Sequence, residues 1–262
     1  MRRVAVKIAY LGDGFSGSQI QPRARNLRTV QSEILEKILL VDHVPCDDIE
    51  IKFSSRTDAG VSALGNVVCF HTEFKDLGLL LKALNSVSRG IYYRSVVEVP
   101  ETFNPRIADK RYYRYTCPDY GIDFEKFKEA AKLFEGHHDF KRFAKNETGK
   151  TTVMCIDTVD VRHEGNLLTV DFCANYFMWN MIRRIMAAVI QVGKGMTDCE
   201  DVKRKLAGED GTFGLAKPTG LTLLDVTYPD IVFEEPAECP YEKNLRQDLY
   251  VDNVRLMFHK SL

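Results

Sequence analysis

The sequence predicts a mixed α+β protein whose strands and helices follow the order β-α-β-β-α-β twice along the chain. Apolar residues recur at helical spacing in some segments, while β-branched and aromatic residues dominate shorter segments bounded by turn residues. The order restarts near residue 104 without a sequence repeat. We therefore expect two ferredoxin-like (RRM-like) domains with antiparallel sheets, over residues 1–104 and 105–229, followed by an irregular tail over residues 230–262.

The first half supports this prediction at both of its helices. Thr29 is placed to cap a helix in which Val30, Ile34 and Ile38 share one face. Asp76 is placed to cap a second helix. The predicted elements are a strand at 4–10, a helix at 29–41, strands at 49–53 and 66–70, a helix at 76–87 and a strand at 91–99.

The second half repeats this order with one added helix. Asp123 is placed to begin a helix that stops at Gly136, and Gly193 is placed to end another. In the tail, residues 251–258 are interpreted as a candidate strand. The predicted elements are a strand at 109–116, a helix at 123–136, strands at 152–161 and 167–173 joined by a hairpin at 164–166, a helix at 178–192, a helix that a capping box at 197–200 begins, and a strand at 221–228.

Composition narrows the class of protein. The 262 residues are 45% hydrophobic and 28% charged, which is typical of a globular protein with a sizeable core. A formal net charge of −1 gives no general attraction to nucleic acid, so an RNA-binding face would have to concentrate its basic residues. Seven cysteines without a CxxC pair indicate a reducing compartment and predict neither disulfides nor a zinc site. With no signal peptide and no apolar run near the ~18 residues of a membrane span, we expect a cytoplasmic protein.

The loop at residues 54–65 is the main candidate for catalysis. It places Arg56, Thr57 and Asp58 together between two predicted strands. A nearby arginine favours the ionised form of a carboxylate, which suits Asp58 to act as a nucleophile or a base. The alternative is an ordinary turn with a structural Arg-Asp pair.

A second candidate is the strand RYYRY at residues 111–115, in which basic and aromatic residues alternate. Aromatic rings can stack on bases and arginines such as Arg111 and Arg114 can hold phosphates, as a strand that contacts RNA requires. The alternative is a half-exposed strand. Its period of two would then place Tyr113 and Tyr115 towards the core and Arg114 on the other face.

Two further arginine groups are candidates. Arg23 and Arg25 belong to a short basic arm that is either a phosphate-contacting loop or a solvated one. Arg183 and Arg184 lie in the first turns of an apolar helix, where a buried guanidinium needs a carboxylate partner and a surface one does not. The adjacent histidines at 137–138 point in different directions, and no acidic cluster accompanies them, so no metal site is predicted.

Several motifs, in their order along the chain, resemble the TruA-type family of tRNA pseudouridine(38-40) synthases. The most specific is RTDAGV at residues 56–61, followed by GNVVCF at residues 65–70. The chain departs from the family at Ser18, where many members have Trp, and at Ser62, where many have His, which leaves the subfamily open. The other matches are YLGDGFSG at 10–17, TVQ at 29–31, FNPR at 103–106, RYYRY at 111–115, GHHDF at 136–140, MIR at 181–183 and the segment at 220–229.

The resemblance implies an isomerase that breaks the C1′–N1 bond of uridine, turns the uracil and rejoins it through C5, with no cofactor and no metal. Asp58 is then the catalytic carboxylate, Arg183 its cationic partner and Tyr113 the ring that stacks on the base, in a cleft between the two domains. Arg56 then intrudes into the RNA stem or helps to extrude the target uridine. The implied substrate is the anticodon stem-loop of tRNA, and the implied assembly is a homodimer. The implied phosphate contacts are Arg23, Arg25, Arg111 and Arg114.

Other functions remain as alternatives. A non-catalytic RNA-binding protein with two ferredoxin-like sheets would bind tRNA without turnover, and a small-molecule isomerase or hydrolase would act on free nucleoside. A pseudouridine synthase specific for other tRNA positions is a narrower alternative. The combination of Asp58, Tyr113 and Arg183 favours the synthase, because a binding protein does not need a paired carboxylate.

Overall fold

The structure is a computed structural model that describes residues 1–21, 27–42, 44–45, 49–145 and 151–262. Helices and antiparallel strands both contribute, so the predicted mixed α+β class is confirmed. The chain divides into two compact units. Unit 1 comprises Met1–Ala59, Ala63–Ile107 and Asp230–Leu262, and unit 2 comprises Gly60–Ser62 and Ala108–Pro229.

In unit 1 the elements follow the order β-α-β-β-α-β, and the tail, Asp230–Leu262, belongs to the same unit. Its strands β1 (Arg2–Tyr10), β2 (Lys52–Phe53), β3 (Ser62–Thr72) and β4 (Ile91–Glu98) pair antiparallel in the order β4-β1-β3-β2. The first residue of the third strand belongs to unit 2. Its helices are α1 (Val30–Val41), between β1 and β2, and α2 (Leu77–Val87), between β3 and β4.

Local sequence explains why the two helices begin where they do. The side chain of Thr29 accepts the N–H of Ser32, and the side chain of Ser32 accepts the N–H of Thr29, so α1 begins with a capping box. Asp76 caps α2 through the N–H groups of its first turn. The apolar stripe of α1 at Val30 and Ile34 is fully buried, as its spacing predicts.

In unit 2, β5 (Lys110–Pro118), β8 (Thr158–Glu164), β9 (Leu167–Ala174) and β10 (Leu221–Thr227) pair antiparallel in the order β10-β5-β9-β8. Strands β6 (Gly136–Asp139) and β7 (Val153–Ile156) form a separate two-stranded sheet, and α3 is the helix at Phe124–Lys132. Its Asp123 cap accepts two N–H groups of α3, as predicted. The other helices of unit 2 are α4 (Met181–Gly193) and α5 (Cys199–Leu206), which lie between β9 and β10.

Three predicted boundaries in unit 2 are wrong. The predicted strand at 152–161 is two strands, because β7 pairs with β6 while β8 pairs with β9, and the chain changes partner at Asp157. Helix α4 begins three residues late because Asn180 has a left-handed backbone, with φ of 61°, that a helix cannot include. Asp198, and not a capping box from Thr197, caps α5 by accepting the N–H of Asp201 at 2.8 Å.

The tail ends in a helix, α6 (Glu242–Lys260), so the candidate strand at 251–258 is wrong. The first half of α6 lies on unit 1. The Nδ2 of Asn244 donates to the carbonyl of Asn85 at 2.7 Å and to that of Ser88 at 3.3 Å. These carbonyls lie at the C-terminal end of α2 and have no partner within the helix, so Asn244 caps α2.

Among the described residues, no helix is both long and apolar enough to cross a membrane.

Candidate active site

The RTDAGV motif lies in the loop between β2 and β3, where the chain passes from unit 1 to unit 2 after Ala59. Exposure alternates along it: Arg56 is exposed, Thr57 is buried and Asp58 is half-buried. The loop thus presents one carboxylate and one guanidinium, and anchors the residue between them in the interior of unit 1.

A buried polar network holds this loop. The N–H of Thr57 donates to Ser18 Oγ at 2.9 Å, and the N–H of Ser18 donates to the carbonyl of Thr57 at 3.0 Å. The hydroxyls of Tyr10 and Thr57 are hydrogen-bonded at 2.9 Å. Asn66 Nδ2 donates to the Tyr10 hydroxyl at 3.2 Å and to the carbonyl of Ser55 at 3.0 Å. The loop is therefore tied to β1, to β3 and to the segment before α1.

Gly17 brings that segment close to the loop. Its φ is +102°, and a Cβ at this position would lie 3.3 Å from the carbonyl oxygen of Thr57. Sequence reasoning did not assign Tyr10, Ser18 or Asn66 to the site. Tyr10 and Ser18 could not be found from a local signal, because their hydrogen bonds to Thr57 join residues 47 and 39 positions apart. Asn66 lies 11 positions from Ser55, whose carbonyl it binds.

Tyr113 lies on β5 in unit 2 and is 8% exposed. Its ring meets that of Phe177 edge to face, with 5.3 Å between the ring centroids. Tyr115 is also buried, whereas Tyr112 is 37% exposed and Arg114 is half-buried. The predicted alternation along this strand is therefore confirmed, with both tyrosines on the buried face.

Arg183 lies in the first turn of α4, also in unit 2. Its Nε donates to the carbonyl of Ala216 at 2.9 Å. The hydroxyl of Tyr115 donates to the next carbonyl, that of Lys217, at 2.9 Å. Burial raises the pKa of Tyr115 to about 12, and the positive charge of Arg183 opposes this increase. Arg183 and Tyr115 thus hold two consecutive carbonyls of the segment that precedes β10.

Arg111 and Arg114, the predicted phosphate contacts on β5, each have hydrogen-bond partners within unit 2. Arg111 is only 7% exposed and donates to the carbonyl of Asn175. Arg114 forms a bidentate ion pair with Asp171, in which Nε donates to Oδ1 at 2.7 Å and Nη2 donates to Oδ2 at 2.8 Å. Arg162 donates to the same carboxylate at 2.7 Å. Arg111 is thus buried and Arg114 is held by a carboxylate, and contact of either with RNA phosphates stays a prediction.

Two of the predicted contacts, Arg23 and Arg25, lie outside the described residues. Within the described ranges, no group of three or more His, Cys, Asp and Glu side chains is arranged to hold a metal ion. Unit 1 therefore offers Asp58 and Arg56 on a firmly held loop, and unit 2 offers buried aromatic rings and the guanidinium of Arg183.

Comparison with known proteins identifies the family. A family model described as tRNA pseudouridine synthase matches residues 130–229. The tRNA pseudouridine synthase A of Pyrococcus abyssi (strain GE5 / Orsay) is 42% identical over 235 residues, which cover 88% of this chain and 86% of that protein. The protein of the same name from Thermococcus kodakarensis is 36% identical over 263 residues, which cover 99% and 97%. Identity at this level over most of both chains means that this chain belongs to the tRNA pseudouridine synthase A family.

Proposed function

We propose that this protein is an isomerase that converts uridine to pseudouridine in the anticodon stem-loop of tRNA, at positions 38–40. The observation that carries the proposal is its membership of the tRNA pseudouridine synthase A family over most of the chain. In the reaction the C1′–N1 bond of uridine breaks, the uracil turns and a C1′–C5 bond forms. The C5 proton leaves and N1 gains one, so atoms balance without an oxidant, a phosphate donor or any other co-reactant.

Asp58 is the proposed catalytic carboxylate, acting either as a nucleophile at C1′ or as a base at C2′. Both roles require the ionised form, which a cationic partner favours, and Arg183 is the proposed partner. Tyr113 is proposed to stack on the base and to assist removal of the C5 proton. The half-buried position of Asp58, next to the firmly held Thr57, supports its role because a catalytic group must be fixed in orientation.

Arg56 is proposed to handle the RNA, because an enzyme that acts on a base must extrude it from the stack and an exposed guanidinium can replace it. Arg23, Arg25, Arg111 and Arg114 are proposed phosphate contacts, so tRNA affinity should fall steeply with salt. A homodimer is proposed from the same family resemblance, and a cytoplasmic location from the seven cysteines without a CxxC pair. Light scattering of the purified protein tests the homodimer.

The experiment uses an unmodified tRNA transcript and three proteins: the wild type, Asp58→Asn and Asp76→Asn. Pseudouridine is mapped by carbodiimide treatment and primer extension, and tRNA binding is measured by gel shift. We expect Asp58→Asn to bind tRNA and form no pseudouridine. Asp76→Asn is the matched control and should be active, because Asn caps a helix about as well as Asp.

Each alternative has its own outcome. Near wild-type activity of Asp58→Asn removes Asp58 from the mechanism. Binding without turnover by the wild type indicates a non-catalytic RNA-binding protein, and turnover of free uridine indicates a small-molecule enzyme. Modification outside positions 38–40 indicates the synthase of different specificity.

A further inference from the structure

Ser18 forms hydrogen bonds with both backbone polar groups of Thr57, the N–H and the carbonyl. Its Oγ accepts the N–H of Thr57 at 2.9 Å, and its own N–H donates to the Thr57 carbonyl at 3.0 Å. Ser18 is 1% exposed and Thr57 is 8% exposed. If the Oγ were removed, the N–H of Thr57 would lose its partner in a site that water does not reach, so the backbone would have to shift to satisfy it.

Ser18 and its neighbour Gly17 are in turn hydrogen-bonded to helix α1. The carbonyls of Gly17 and Ser18 accept the N–H groups of Val30 and Gln31, at 3.2 and 2.9 Å. These N–H groups belong to the first turn of α1 and have no partner within the helix. Ser18 therefore connects Thr57 to an element of regular structure, which holds a residue more firmly than another loop would.

The hydroxyl of Thr57 is held by a second, independent contact. The Oδ1 of Asn66 accepts from Ser54 Oγ at 2.8 Å and from the N–H of Val67 at 3.0 Å, so its Nδ2 is the group that faces Tyr10. The Tyr10 oxygen accepts from that Nδ2 at 3.2 Å, and the hydroxyls of Tyr10 and Thr57 are hydrogen-bonded at 2.9 Å. Thr57 is thus held at its N–H, its carbonyl and its side chain.

We propose that Ser18 and Tyr10 are positioning residues that fix the orientation of Asp58 and Arg56 by holding Thr57, the residue between them. This inference rests on the proposed function, since it assigns Ser18 and Tyr10 to the reaction of Asp58. A catalytic carboxylate displaced by about 1 Å can lose about 100-fold in rate, while the affinity for a large substrate depends on many other contacts. Removal of either hydroxyl therefore lowers kcat and leaves KM for tRNA unchanged.

The test compares kcat and KM for unmodified tRNA at a temperature well below the melting point of every variant. Ser18→Ala and Tyr10→Phe are each expected to lower kcat by about 10- to 100-fold, with KM within about twofold of wild type. Tyr10→Phe retains the ring that packs edge-on against Phe15 at 5.9 Å, so it removes only the hydroxyl. It also serves as the test if Ser18→Ala does not fold.

Two further readouts separate positioning from general stability. Thr57→Ser keeps the hydroxyl and should rescue the rate lost in Thr57→Val, and Tyr10→Phe with Thr57→Val should be no slower than either alone. The matched control is Ser95→Ala. Ser95 is fully buried in unit 1, and its hydroxyl has no hydrogen-bond partner among the described residues, so its loss should leave kcat unchanged.

The outcomes distinguish the two levels of the proposal. A wild-type protein that forms no pseudouridine overturns the proposed function itself. An active wild type whose Tyr10→Phe variant keeps its kcat within about twofold overturns the positioning role alone, and so does a rise in KM at constant kcat. An equal loss of kcat in Ser95→Ala also overturns it.

Discussion

Arg183 and Ala216 are joined by two hydrogen bonds that run in opposite directions. The Nε–H of Arg183 donates to the carbonyl of Ala216 at 2.9 Å, and the N–H of Ala216 donates to the carbonyl of Arg183 at 3.0 Å. This pairing fixes the side chain of Arg183 at the start of α4. A guanidinium has five N–H donors, so Arg183 can keep this bond and still present its terminal nitrogens to a carboxylate.

Replacing Arg183 with lysine tests the pairing. Arg183→Lys keeps the charge but loses the Nε–H donor, so we expect the free energy of unfolding to fall by about 0.5–1.5 kcal/mol. We expect pseudouridine formation to fall by about 10-fold or more, because the ammonium does not reproduce the planar fork. Urea denaturation and tRNA modification rates measure the two effects. The matched control is Arg184→Lys, which alters a 3.3 Å contact to Thr212, and an equal loss of activity there contradicts the assignment.

Gly220 is expected to tolerate no side chain. A Cβ there would lie 2.5 Å from the carbonyl oxygen of Thr116 and 2.8 Å from Cζ of Tyr115. Gly220→Ala should therefore lower the free energy of unfolding by about 1–3 kcal/mol, because the backbone has to move. Gly14→Ala is the control, since the nearest atom to its Cβ would be Arg28 Nη1 at 3.5 Å. Thermal unfolding compares the two variants, and equal melting temperatures would refute the steric explanation.

The ion pairs of Asp171 with Arg114 and Arg162 predict that the free energy of unfolding depends on pH. Burial alone would raise the pKa of Asp171, but hydrogen bonds from both arginines outweigh it and lower the pKa below its ordinary value. A lowered pKa in the folded state stabilises the protein above the ordinary pKa of 3.8, and this stability is lost as the pH falls through the folded-state pKa. Asp171→Asn should therefore be less stable than wild type near pH 7, and the difference should shrink below about pH 4.

Urea denaturation at a series of pH values measures this difference. The control is Asp160→Asn, which faces Asp171 across the two strands but has a 64% exposed side chain, 3.9 Å from Lys132. Its stability should follow the wild type at every pH, because exposed ion pairs contribute little. A difference for Asp171→Asn that does not depend on pH would show that the carboxylate charge is not responsible.

The tail is expected to stabilise unit 1 through Asn244. Asn244→Ala leaves the carbonyls of Asn85 and Ser88 without this donor at the end of α2, and should lower the free energy of unfolding by about 1–3 kcal/mol. Asn253→Ala, at an exposed position of the same helix, is the control and should have little effect. If both variants unfold at the same denaturant concentration, α6 does not contribute through this cap.

Elements whose signals are local could be predicted from the sequence. The caps Thr29, Asp76 and Asp123 each accept N–H groups two or three residues away, so their residue types and spacing were sufficient. The pairing of strands could not be predicted in the same way. The segment around Asp157 has strand-forming residues on both sides, and nothing in it indicates that its two halves pair with different strands.

By itself, the sequence determined the order of the elements from β1 to β4, the caps Thr29, Asp76 and Asp123, and the position of the RTDAGV motif between two strands, because these depend on residues a few positions apart. Only the tertiary structure decided that Ser18 and Tyr10 hold Thr57, that Asp171 engages Arg114, and that the tail caps α2. These contacts join residues 39 to 159 positions apart. The physical reason is that a buried polar group takes whichever partner folding brings within reach, and a linear sequence does not specify that partner locally.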